Sequence, residues 1–279
     1  MRIAIIPTTG GTDPFQGMQA AVELGVEGVH ISAMGKALDL EHKSTAERRQ
    51  VLKRIHDLGL TVSALIGWGG SVDFGLEKGW RDNIEWGKRL NEVAVDMAGG
   101  LWMAHVGIMP DEPSDPQWSR FQDALGEIAA HGERLGATLA LETGPEPPKV
   151  VRRMIEAVNS TGLRVNFDPA NLLLWPPKIA ERRQRPFNYE EALREFDPVE
   201  GLKTLIPYVA HVHAKDSVLR PDASRAEVPL GTGMTQWPVL HSIFQEYGYK
   251  GFYAIERECG ENAMADVRNA VSFLRSLPA

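Results

Sequence analysis

The sequence predicts an α/β protein folded as one (β/α)8 barrel over residues 1–279. Three observations carry that expectation. Short β-branched or apolar runs alternate with helical patterns eight times, which is how parallel strands covered by helices read. Several helical stretches end in glycine just before the next strand: LGV at Gly25, LGL at Gly59, LGA at Gly136 and YGY at Gly248. Glycine closes helices in this way because it adopts the left-handed conformation without steric cost. No Gly-x-Gly-x-x-Gly follows the first strand, which disfavours a dinucleotide-binding sheet. The length of 279 residues exceeds a prior of roughly 150 per domain, but α/β barrels reach about 250 as a single unit.

In chain order, the strands are RIAII from Arg2, GVHIS from Gly28, TVSALIG from Thr61 and LWMAHVG from Leu101. TLALETG from Thr138, RVNFD from Arg164, VAHVHAKD from Val209 and FYAIERE from Phe252 complete the set. Helical patterns lie between them over 15–24, 44–58, 80–98, 117–135, 150–158, 190–205, 237–247 and 262–277. The second helix opens on STAE, a capping box from Ser44 to Glu47. The stretch LLLWPPKIAERRQRPFN after the sixth strand reads as the longest irregular segment, a lid or an interface loop. Its basic ERRQR run reads as a surface face or subunit contact.

Hydrophobic content of 43% and charged content of 24% describe an ordinary globular chain. The net charge of −7 opposes a nucleic-acid partner. Cys259 is the only cysteine, so neither an internal disulfide nor a cysteine metal site is available. The opening MRIAIIPTTGG reads as a first strand rather than a signal segment, and no run is long enough for a membrane span. A reducing cytoplasm is the expected location.

In such a barrel the chemistry gathers at the C-terminal strand ends. Four late strands end on groups that bind metals: Glu142 in LALETG, Asp168 in NFDPAN, His211 and His213 in HVHAKD, and Glu256 and Glu258 in AIERE. A single charged strand end is ordinarily a salt bridge or the start of a loop. Four on successive strands are satisfied together by one divalent cation. Three carboxylates and one imidazole make an oxygen-rich set suited to Mn²⁺, with Mg²⁺ or Co²⁺ also compatible. Glu142 and Glu256 lie three strands apart around the ring. They would reach a substrate from different sides, one removing a proton and the other returning it.

These motifs, with VPLGTGMTQWP, resemble the xylose isomerase-like TIM barrels, and most closely the sugar phosphate isomerase/epimerase group that includes the ketose 3-epimerases. The likeness covers nearly the whole chain. It implies a metal-dependent isomerase or epimerase of carbohydrate metabolism, acting on a small sugar or sugar phosphate. It also implies Glu142, Asp168, His213 and Glu256 as ligands, the two glutamates as the acid/base pair, and His211 as a satisfied lumen residue. A dimer or tetramer is expected from the resemblance alone.

The chain departs from the ketohexose epimerase pattern at three positions. Asn171 replaces a histidine, Leu219 replaces a substrate-binding arginine, and Pro148 replaces a second glutamate, with Glu146 out of register. Candidate substrate-binding residues are Asn171, His105, Trp68 and Glu258. Trp175 is a possible apolar wall, whereas Trp102 reads as core packing. The PLGTG stretch reads as a tight turn, with a phosphate site at the helix start as the alternative. Three other functions remain in view. A lyase or dehydratase would use the same proton abstraction. An AP endonuclease would need further histidines where Arg225 and Glu227 stand, and a non-catalytic sugar-binding barrel would have no need of both glutamates.

Overall fold

A computed structural model describes residues 1–35, 37–67 and 72–278. The chain begins with β1 (Arg2–Ile5), α1 (Pro14–Glu23), β2 (Gly28–Ser32), α2 (Thr45–Asp57), β3 (Thr61–Ile66) and α3 (Trp80–Met97). It continues through β4 (Leu101–Ala104), α4 (Pro116–Leu135), β5 (Thr138–Glu142), α5 (Pro148–Val158) and β6 (Leu163–Phe167). Four helices follow: α6 (Asn171–Leu174), α7 (Pro176–Arg182), α8 (Tyr189–Glu195) and α9 (Pro198–Leu205). The last elements are β7 (Val209–Ala214), β8 (Asp216–Leu219), β9 (Arg225–Val228), α10 (Trp237–Tyr247), β10 (Phe252–Ile255) and α11 (Ala263–Ser276).

Eight parallel strands close in the order β1-β10-β7-β6-β5-β4-β3-β2. The expected (β/α)8 TIM barrel is therefore present. Its strands are buried on both faces, which is why Leu139, Ala140 and Leu141 follow one another without a polar break. Period-two alternation sends Phe167 outward against Phe244 of α10, and Asn166 and Asp168 inward. Trp102 also points outward. Its indole N–H donates to Asn91 Oδ1 on α3 at 2.8 Å, and its ring meets Trp86 edge-on. It is core packing, as expected.

Local chemistry sets the helix ends. The Ser44–Glu47 capping box forms, with Ser44 N donating to Glu47 Oε2 at 2.8 Å. Such a cap is worth about 1 kcal/mol. Gly136 and Gly248 close α4 and α10 at φ 77° and 76°, where any side chain would be strained.

Three segments differ from the sequence expectation. The helix expected over 190–205 breaks at Asp197, because Pro198 offers no N–H and disfavours a helical residue before it. Asp197 then caps α9 through Glu200 N. The stretch after β6 is largely helical, since Pro176 and Pro177 sit in the first turn of α7, where proline is tolerated. Within ERRQR, Arg183 is no free surface charge: it bridges Asp111 and Glu195 at 2.7 Å each. Finally, β8 and β9 form an antiparallel hairpin beyond the barrel that the alternation did not announce.

One irregularity bears on the site. Between β2 and β3 the register slips: Val29 faces Val62, but His30 faces Ala64. Ser63 is the extra residue of this bulge, a device that re-aims neighbouring side chains.

Candidate metal centre at the barrel mouth

The centre is assembled from the ends of β5, β6, β7 and β10. Glu142 is the last residue of β5, and Asp168 follows β6 where Pro169 halts the strand. Thr143 ties the two tips together. Its hydroxyl donates to Asp168 O at 2.9 Å and accepts from Asp168 N at 2.8 Å. Gly144 is required beside it, because a Cβ there would lie 2.5 Å from Asn171 Cβ.

Glu142, Asp168, His213 and Glu256 each present a ligand atom within 4.8 Å of the others. His213 Nδ1 lies 3.1 Å from Glu142 Oε1, 3.1 Å from Glu256 Oε2 and 3.8 Å from Asp168 Oδ2. Asp168 Oδ1 accepts from Ala170 N at 2.8 Å and Asn171 N at 3.1 Å. Asp168 Oδ2 is buried and has no hydrogen-bond partner. A buried carboxylate oxygen left this way costs about 1–3 kcal/mol or more. Three carboxylates, one orphaned oxygen and one imidazole nitrogen fit a hard divalent cation.

The electrostatics follow from the crowding. Burial opposes charge on Glu142, but His105 and His213 bring it below the usual carboxylate range. Burial likewise opposes charge on Glu256, yet His213 and Lys215 hold it well below that range. Burial pushes Asp168 up, against the pull of Lys215. Burial would lower His213, but Glu256 and Glu142 raise it well above the ordinary value. The metal-free centre thus balances its carboxylates with His213 and Lys215.

The remaining expected residues gather around these four. His105 Nε2 lies 3.2 Å from Glu142 Oε2, and Asn171 Nδ2 donates to Glu142 Oε1 at 3.2 Å. Glu258 is mostly exposed and accepts from Lys215 Nζ. Trp175 stands 6.3 Å from the His105 ring, and Trp68 falls outside the described residues. His211 lies below, with Nδ1 2.9 Å from Asn166 Oδ1 and Nε2 3.1 Å from Ser63 Oγ. Both its nitrogens are engaged.

In the PLGTG turn the loop N–H groups already hold an anion of the protein's own. Asp216 accepts from Gly231 N, Gly233 N and Thr235 Oγ1 at 3.0, 2.9 and 2.7 Å. That occupancy favours the turn reading over a phosphate site.

Residues 18–277 match the profile of the xylose isomerase-like TIM barrel. The chain belongs to this family. Its fold is shared by a xylose isomerase domain protein from Planctomyces limnophilus, with TM-score 0.79, 22% identity and coverage of 99% of this chain and 95% of that one. D-psicose 3-epimerase from Clostridium cellulolyticum H10, solved with D-tagatose, aligns at TM-score 0.70 and 15% identity over 99% of both chains. The probable 3-DHS dehydratase of petrobactin synthesis from Bacillus anthracis aligns at TM-score 0.72 and 18% identity over 100% of both. At these identities the likeness establishes the fold. Comparison with curated protein sequences finds no match. Among the described residues, no helix is long and apolar enough to cross a membrane.

This member of the family carries two further buried groups that the sequence reading passed over. Lys215 Nζ donates to Glu256 Oε2 at 2.9 Å and lies 3.8 Å from both Asp168 Oδ2 and Glu227 Oε2. Burial opposes its charge, but Glu256, Asp168 and Glu258 raise it well above the usual lysine value. Its signal was present: Lys215 stands two residues after His213, on the same face of the chain. His30 of β2 is fully buried beneath His213, with Nε2 atoms 3.2 Å apart. Burial, then His213, pushes His30 down to about 3, so it is neutral. A lone histidine in an apolar strand gave no sign of this contact.

Proposed function

We propose that the protein is a divalent-metal-dependent sugar isomerase or epimerase that moves a proton on the carbon beside a carbonyl. The observation that carries this is the unpartnered Asp168 Oδ2 among Glu142, His213 and Glu256. These four would hold the cation, Mn²⁺ best and Mg²⁺ or Co²⁺ as substitutes. Once bound, it would polarise the carbonyl and acidify the neighbouring C–H.

The chain's own groups perform the transfer. Glu142 and Glu256 both favour the charged form, so each can accept a proton. Lys215 orients Glu256, while Asn171 and His105 orient Glu142. Two bases on opposite sides of the His213 ring allow one to take a proton from one face and the other to return it to the opposite face. Trp175 beside His105 offers an apolar wall to a sugar ring. An unphosphorylated substrate is favoured because Asp216 occupies the PLGTG amides.

A second reading is elimination on the same centre. Asn171, Leu219 and Pro148 stand where ketohexose epimerases carry other residues, so the groups that read the sugar differ. The base would take the α proton, and a β-hydroxyl would leave as water with a proton from the second acid.

The test is a screen of ketoses and keto acids with Mn²⁺-loaded protein in deuterium oxide. The expected result is one deuterium at the carbon beside the carbonyl, with epimer or dehydrated product separating the two readings. Glu256→Gln should lower exchange by at least about 10³-fold with the fold retained. Absence of exchange across the panel in a Mn²⁺-bound protein would overturn the proposal.

A further inference from the structure

We infer that His30 is a positioning residue that dictates which nitrogen of His213 faces the three carboxylates, and so prepares Nδ1 as the ligand atom. This rests on the proposed metal centre and goes beyond it, to a residue on the opposite side of the barrel.

The deduction begins at a backbone carbonyl. His30 Nδ1 lies 3.0 Å from Ala64 O. A carbonyl oxygen only accepts, so Nδ1 carries the hydrogen. His30 is fully buried, and no carboxylate stands within salt-bridge distance of it among the described residues. A neutral ring with its hydrogen on Nδ1 has a bare lone pair on Nε2. That lone pair lies 3.2 Å from His213 Nε2. Two lone pairs facing each other at this separation would repel, so His213 Nε2 must carry the hydrogen and donate it. His213 then has only Nδ1 with which to meet Glu142, Asp168 and Glu256.

The fold holds this order in place. The bulge at Ser63 sets His30 opposite Ala64, whose carbonyl anchors the chain of hydrogen bonds. Ser63 itself contacts His211, and the His30 and His211 rings lie 4.6 Å apart. His211 is pinned by Asn166 on its other side, so the His30 ring is held in the lumen. Outer partners of this kind typically change metal affinity by about 10–100-fold when removed.

Two variants and one spectroscopic measurement test the inference. Gln at position 30 can place its Oε1 where Nε2 stood and accept from His213, whereas Leu fills similar space with no acceptor. Mn²⁺ titration should show affinity about 10–100-fold weaker in His30→Leu, and within about threefold of wild type in His30→Gln. Nitrogen-15 spectra of the histidine-labelled, metal-free wild type should show His30 with hydrogen on Nδ1 only, and His213 with hydrogen on Nε2. Wild-type affinity in a folded His30→Leu, or His30 carrying hydrogen on Nε2, would overturn the inference. If wild type binds no Mn²⁺, the proposed function fails, and the spectra still decide the hydrogen order. If His30→Leu does not fold, the wild-type spectra decide it alone.

Discussion

Asp168 and Asp216 are both buried aspartates that follow a barrel strand, and they are stabilised in opposite ways. Asp216 accepts from Ser217 N, Gly231 N, Gly233 N, Thr235 N and Thr235 Oγ1. Both of its oxygens are used, and the result is a rigid turn leading into α10. Asp168 has hydrogen bonds on one oxygen and none on the other. The contrast separates structure from function within one barrel face. A carboxylate whose lone pairs are all answered by the chain holds the chain together. One left open beside other open ligands is arranged for something that arrives later.

The contrast can be broken first at Asp168. Asp168→Asn should weaken Mn²⁺ binding by at least about 10³-fold, about 4 kcal/mol, in a calorimetric titration, with metal-free melting unchanged or raised. An unchanged affinity would mean that Asp168 is a second Asp216. The converse change, Asp216→Ala, strands several N–H groups at about 1–3 kcal/mol each. A loss of about 4 kcal/mol in urea unfolding is expected, with the Mn²⁺ affinity of the folded fraction largely kept.

Glu146 sharpens the comparison with a third solution, a proton. It is buried, and Met109 N donates to its Oε1 at 2.6 Å. Burial raises it from 4.5 to about 8. The folded chain therefore keeps a proton that the unfolded chain releases above its own lower value. Its cost to stability is absent below about pH 4.5, grows as pH rises and is complete above about pH 8. Glu146→Gln should thus stabilise the protein little at pH 5 and by about 4 kcal/mol near pH 8.5, read from denaturant midpoints at each pH. The smallest effect is expected at Asn171, which donates to Glu142. Asn171→His should change Mn²⁺ affinity less than about tenfold, while shifting the ranking of substrates in the deuterium screen.

Much of this was legible in the chain, for identifiable reasons. Strands and helices alternate with clear punctuation, so the barrel follows from pattern. Strand ends place Glu142, Asp168, His213 and Glu256 at one mouth, and the structure brings those four together. His30 was not legible, because its partner lies 183 residues away and an imidazole in an apolar strand is normally packing. The helices at Pro176 and Pro198 were obscured because proline both breaks a helix and starts one. The hairpin of β8 and β9 was hidden because its strands are short and polar enough to read as loop.

The slip between β2 and β3 makes one point of this barrel intolerant of a change in length. Loops elsewhere can grow or shrink without turning any strand over. Removing Ser63 would bring Val29 and His30 into step with adjacent β3 residues, and one side of the deletion would have to exchange lumen for exterior. A scan of single-residue deletions along 61–66, read by soluble yield, should find its sharpest drop there, even though the deleted side chain is no larger than a serine.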